Sequence, residues 1–143
     1  MLLEKVVKRM DLWPSLDNIN KIKTPKKILG KQGEYLSKKT NEIVYTICDE
    51  IPRERLAEQE KGYDFRYEYL IASKNLKNYT FKLFSIYHNI TLYPLLIVLD
   101  TQVASDIGLK KKSIGSEEEF EATLKMIFAS RVIENVIGTL INI

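Results

Sequence analysis

Between Tyr63 and Ile71 the chain alternates, with Tyr63, Phe65, Tyr67, Tyr69 and Ile71 on every second position and Asp64, Arg66 and Glu68 between them. Side chains of an extended strand point to opposite faces in turn, so this pattern sets an aromatic face against a core and a charged face towards water. A chain with such a strand must build a sheet and lay something over one side of it. Tyr79, Phe81 and Leu83 alternate with Thr80 and Lys82 in a second strand, residues 92–99 are apolar almost throughout, and residues 43–49 are rich in β-branched side chains. Six residues, Ser73 to Asn78, join the first pair, and His88-Asn89 is placed as a tight hairpin turn. Short connections join antiparallel neighbours, which predicts a four-stranded antiparallel meander with Pro94 at an edge or a bulge.

Helical spacing flanks this sheet. Leu2, Leu3, Val6, Val7 and Met10 predict a short amphipathic helix over residues 2–11, ended by Trp13-Pro14. Residues 14–23 read as a polar, unpatterned connection. Thr24 as N-cap and Pro25 at the first helical position then open a helix with Ile28, Leu29, Gln32, Tyr35 and Leu36 inward and a stop at Thr40-Asn41. Gly30 and Gly33 inside it cost about 1 kcal/mol each relative to alanine, which predicts a neighbour too close for a side chain. Residues 101–115, with Gly108, three consecutive lysines and Gly115, read as a solvated loop. Ser116-Glu-Glu-Glu119 is a capping box that starts the last helix, running from Glu117 towards Leu140.

The apolar stripe of that last helix changes sides. Phe120, Leu124, Ile127 and Phe128 share one face, whereas Val132, Ile133, Val136, Ile137 and Leu140 lie nearly opposite when the helix is continued at about 100° per residue. A break at Ala129-Ser130 would return both stripes to one core. A continuous helix would instead carry Val132, Val136, Ile137 and Leu140 to the N-terminal helix or to another molecule, because apolar side chains left in water form an association site.

Composition narrows the chemistry. One histidine and one cysteine in 143 residues argue against a zinc site, which usually draws on several such ligands, and His88 with Cys48 lacks any local signature of a nucleophile and its base. Asp100 ends an apolar run, where a sheet can present a functional carboxylate, but Thr80-Phe81-Lys82 lacks the acid of an acid-x-Lys nuclease motif. Gly-rich phosphate loops and Gly-x-Ser-x-Gly or His-Glu-x-x-His motifs are missing, and no cofactor is expected. Tyr63, Tyr67, Tyr69, Tyr79 and Tyr87 on neighbouring strands could stack bases; core packing explains them better. The charged start and the lack of an apolar run of about 18 residues argue against a leader or a membrane span and predict a cytoplasmic protein.

Charge is asymmetric although the net is only +3: residues 1–40 hold ten Lys or Arg against four Asp or Glu, and the remainder is −3. Lys27, Lys31 and Lys38 share a side of the Pro25 helix, with Lys21 and Lys23 just before it. Such a row could displace counterions from nucleic-acid phosphates, but the arm holds one arginine, Arg9, and no base-reading element. The expectation is one α+β domain over residues 1–143, with a basic N-terminal helix and connection (1–23) and an α+β body (24–143). Its predicted sheet is four-stranded and antiparallel, with the N-terminal helices and a long C-terminal helix on one face. The predicted function is non-catalytic protein binding, as a homodimer or an inhibitor- or antitoxin-like partner of a larger protein, through Val132, Val136, Ile137 and Leu140. Nucleic-acid binding through Lys21, Lys23, Lys27, Lys31 and Lys38 is the alternative.

Overall fold

The structure is a computed structural model that describes residues 10–143, and nearly all of the helix predicted over residues 2–11 lies outside the described residues. Its sheet has five antiparallel strands in sequential order: β1 (Val44–Glu50), β2 (Phe65–Ser73), β3 (Leu76–His88), β4 (Leu95–Leu99) and β5 (Lys111–Ile114). Among the described residues four α-helices accompany it: α1 (Pro25–Lys39), α2 (Thr101–Ile107), α3 (Glu117–Phe128) and α4 (Arg131–Asn142). The α+β class and antiparallel meander follow from the alternation, whereas the fifth strand, α2 and the division of the last helix correct the prediction.

Cross-strand register defines the covered face. Tyr69 pairs with Cys48 on one side and Phe84 on the other, and Ile86 pairs with Ile97. Tyr69, Ile71, Phe84, Ile86, Ile97 and Ile114 are all buried with Leu29, Phe120, Ile127 and Ile133 in one core. Tyr69 also stacks on Phe84 at 5.3 Å, and its hydroxyl donates to the Leu29 carbonyl at 2.9 Å, tying the sheet to α1. Between Tyr69 and Leu70 the register with β3 shifts by one residue, which leaves both Leu83 and Phe84 in the core and returns Ser85 and Tyr87 to the opposite face. There Tyr87 packs with Ile51 and Leu56 of the β1–β2 connection and with Tyr63. Tyr63 therefore belongs to this second cluster, not to the helix-covered face.

Turns differ from those predicted. Strands β2 and β3 are joined by Lys74-Asn75 alone, since Leu76 to Asn78 already belong to β3. At the other end of β3 the tight turn is replaced by a six-residue loop, Asn89 to Pro94. Asn89 Oδ1 accepts from the Asp64 amide and Asp64 Oδ2 accepts from the Ile90 amide, both at 3.0 Å, so the loop is held against the start of β2.

The last helix breaks where its stripe changes sides. Ser130 is extended (φ −59°, ψ 139°) and begins α4, which turns Ile133 and Leu140 into the core that holds Phe120, Leu124 and Ile127. Asp106, at the end of α2, stabilises the corner: Oδ2 accepts from Ser130 Oγ at 2.6 Å and from the Arg131 amide at 2.8 Å. This carboxylate satisfies the first amides of α4, a role that no residue next to the break plays. These bonds hold its pKa below the usual carboxylate range, the Ser130 hydroxyl contributing most. At the start of α3 the capping box forms in part, because Ser116 Oγ accepts from the Glu119 amide while Glu119 reaches back to the Gly115 amide.

Candidate functional site

Two helices of the covering layer leave a groove between them. Thr24 caps α1 by accepting from the Lys27 amide, which fixes the phase of a helix carrying Lys27 and Lys31 one turn apart. With Lys23 they form one wall, and Lys125 with Glu121 of α3 forms the other, around a volume of about 860 Å³. Ile28, Leu124 and Phe128 supply its apolar floor. Beside it lies a narrower pocket of about 170 Å³, lined by Tyr69, Ile71 and Leu83 of the sheet and by Ile133 and Ile137 of α4; Gln32, Tyr35 and Phe128 border both spaces.

The rim is positive. Lys31 lies 3.3 Å from Glu34 and 5.4 Å above the Tyr35 ring, but both ionic groups of that pair are more than half exposed, so water screens it. Among the described residues Lys23, Lys27 and Lys125 make no ion pair, and Glu121 is the one carboxylate on the groove wall. Four ammonium groups thus surround an apolar slot.

Of the lysines singled out in the sequence, the structure brings Lys23, Lys27 and Lys31 together, with Lys21 in a single 3₁₀ turn (Ile19–Lys21) just before them. Lys38 is not part of the groove: it lies beside Glu42, Tyr45 and Cys48 on another side of α1. The apolar four of the last helix do not form one exposed stripe. Leu140 is core, Val132, Val136 and Ile137 are half-buried against it, and Ile137 lines the narrower pocket. Lys125 and Phe128, which complete the groove, carried no separate signal, because Phe128 continues the core stripe of α3 and nothing in either helix's pattern specifies the neighbour beside it.

The remaining candidates are separated from this site and from each other. Cys48 pairs with Tyr69 and His88 with Phe65, so the two are offset by four positions along β2, roughly 13 Å at strand rise, with β2 itself intervening. His88 is buried, stacks on Phe65 at 5.0 Å and donates from Nδ1 to the Asn89 carbonyl. Burial pushes the Cys48 thiol up to about 11, against the opposing pull of the Lys26 ammonium. Asp100 borders a polar hollow on the other face of the sheet with Arg55, Lys82 and Ser85. There Glu68 neutralises both cations, at 3.1 Å from Arg55 and 3.8 Å from Lys82. Among the described residues no three His, Cys, Asp or Glu side chains converge as a metal ion would require, and no helix is long and apolar enough to cross a membrane.

No protein-family model, curated protein or solved structure matches this chain.

Proposed function

We propose that this chain is a non-catalytic protein-binding domain of the cytoplasm that receives an acidic, amphipathic segment in the groove between α1 and α3. The observation that supports this reading is the combination of Lys23, Lys27, Lys31 and Lys125 on the rim with an apolar floor that adjoins a second, apolar pocket. Lysines on a solvated helix face need no partner, but lysines facing each other across an apolar slot match a segment with carboxylates along its edges and Leu- or Phe-like side chains beneath. A self-associating protein and an inhibitor of a larger protein would both use such a site. Nucleic acid is the second reading, favoured by the same convergence of ammonium groups beside Tyr35. It ranks lower because the rim has no arginine and an apolar floor offers little to sugar and phosphate.

Fluorescence anisotropy separates the two. A labelled peptide with Glu and Asp on one helical face and Leu and Phe on the other should bind, with affinity falling as salt rises. The triple substitution Lys27→Glu, Lys31→Glu, Lys125→Glu should abolish binding. Single-stranded or duplex DNA binding tighter than the peptide, with the same dependence on the three lysines, would put the nucleic-acid reading first.

A further inference from the structure

A second unfilled requirement lies at the mouth of the groove. Residues 14–22, within the stretch that reads as polar and unpatterned, form with residues 10–13 an arm whose large apolar side chains all face water. Leu12 is 89% exposed and Trp13 79%, and Met10, Leu16, Ile19 and Ile22 are each more than half exposed. Six such side chains in thirteen residues exceed the scattered apolar exposure of an ordinary surface.

We infer that this arm, residues 10–22, occupies the groove of a second copy of the chain, an assignment that rests on the groove reading above and names its occupant. Charge is the first argument. Residues 10–22 contain Asp11 and Asp17 against Lys21 alone, a net charge of −1, although the surrounding N-terminal third is strongly basic. The arm is thus an apolar stretch of net negative charge, with both carboxylates in its first eight residues, and matches a lysine-rimmed groove. Spacing is the second. Leu12, Leu16 and Ile19 stand at i, i+4 and i+7, the anchor positions of a helix laid into a groove. A turn of 3₁₀ helix already covers Ile19–Lys21, and the Ile19 amide donates to the Leu16 carbonyl at 3.1 Å.

The connection argues for exchange between copies. Lys23 directly follows the arm and is the first residue of the groove wall, and no other residue from 10 to 23 lines the groove. The backbone is extended on both sides of it, at Ile22 (φ −70°, ψ 123°) and Thr24 (φ −70°, ψ 155°), so the arm runs on from α1 without folding back into its own groove. Reciprocal insertion of two arms covers both apolar surfaces with one two-fold contact.

Sedimentation velocity across a range of concentrations, read together with the emission of Trp13, the only tryptophan, tests the inference. The full chain should sediment as a dimer that dissociates on dilution and with added salt, Trp13 emission moving to the red as it does. Asp11→Lys with Asp17→Lys should weaken the dimer at least tenfold, as should Lys27→Glu with Lys31→Glu and Lys125→Glu. All five substitutions together should restore it. These side chains are at the surface, and far-UV circular dichroism confirms that each variant is folded. A monomer at every concentration, a monomer with Trp13 shielded by its own groove, or a dimer indifferent to both charge reversals would overturn the inference. A monomer that still binds the acidic amphipathic peptide through its lysines would retain the groove and reject only this occupant; a monomer that binds neither would reject both.

Discussion

Replacing Gly30 and Gly33 by alanine, one at a time, should change stability in opposite directions, although both lie in the interior of α1. Alanine is favoured over glycine in a helix by about 1 kcal/mol, because glycine loses more backbone freedom on folding. At Gly30 a Cβ would meet nothing within 4 Å, so the full gain of about 1 kcal/mol should appear. At Gly33 a Cβ would fall inside the van der Waals surface of Thr46 Oγ1, with Thr46 Cβ at 3.3 Å and Cγ2 at 3.7 Å. Overpacking of this kind costs roughly 1 to 3 kcal/mol, which outweighs the propensity gain and leaves a net loss of about 1 kcal/mol. The two variants should therefore differ by roughly 2 kcal/mol, or about 1 M in urea midpoint at the m-value of a domain of this size. Unfolding followed by far-UV circular dichroism measures it. Thr46→Ala removes Oγ1 and Cγ2, so in that background most of the Gly33→Ala penalty should vanish, a coupling expected only between residues in contact. If Gly33→Ala stabilises as much as Gly30→Ala, α1 does not rest on β1 at this point, and the placement of the lysine wall loses its explanation.

Asp106→Ala should destabilise the corner between α3 and α4, and the gap from wild type should depend on pH. Since the folded pKa is depressed below 3.8, the contribution is complete above that value and is lost as pH falls through the folded pKa; equal gaps in urea midpoint at pH 6 and near pH 2 would refute the capping role. Ser116→Ala should cost about 1 kcal/mol by thermal or urea unfolding, because the Glu119 amide loses its acceptor; a change within error of zero would place the start of α3 elsewhere. Cys48, its thiol raised to about 11 by burial, should react with a maleimide at pH 8 far more slowly than the urea-unfolded chain; equal rates would show that the thiol is open to solvent.

How legible each element is in the sequence depends on whether its environment has one face or two. Strand β2 is read directly because water lies on one side and core on the other. The second half of β3 is covered on both sides, by the helices and by Ile51 and Leu56, so Phe84 to His88 are all buried and no alternation survives. Strand β5 is hidden for the opposite reason: of Lys111–Ile114 only Ile114 is buried, and the lysines that keep an edge strand from pairing further make it look like a loop. Helix α2 buries only Val103 fully, too little for a period to show. Half of the candidate site is similarly visible. Lys23, Lys27 and Lys31 stand four residues apart in sequence, whereas their counterparts on α3 join them only through the packing of two helices on one sheet. The arm escaped because Leu16, Ile19 and Ile22 are diluted by Asp and Asn in a stretch whose composition resembles a turn.

The break in the last helix links the loss of one predicted surface to the formation of another. A rod continuing through Ser130 would have carried Val136, Ile137 and Leu140 away from the sheet as a free stripe. Turning there instead buries Leu140 and brings Ile133 and Ile137 beside Phe128, so that the end of α3 and the start of α4 close the inner side of the pocket beside the groove. The residue that holds this corner, Asp106, belongs to neither helix and stands 24 positions before Ser130. Its carboxylate binds the backbone of α4 where α4 begins, so the shape of the pocket depends on a contact from α2 that the periodicity of the last 27 residues cannot contain. Ile137 thus retains a part in recognition by a different route: as the wall of an apolar recess beside a lysine rim, reached by whatever side chain an acidic segment inserts between α1 and α3.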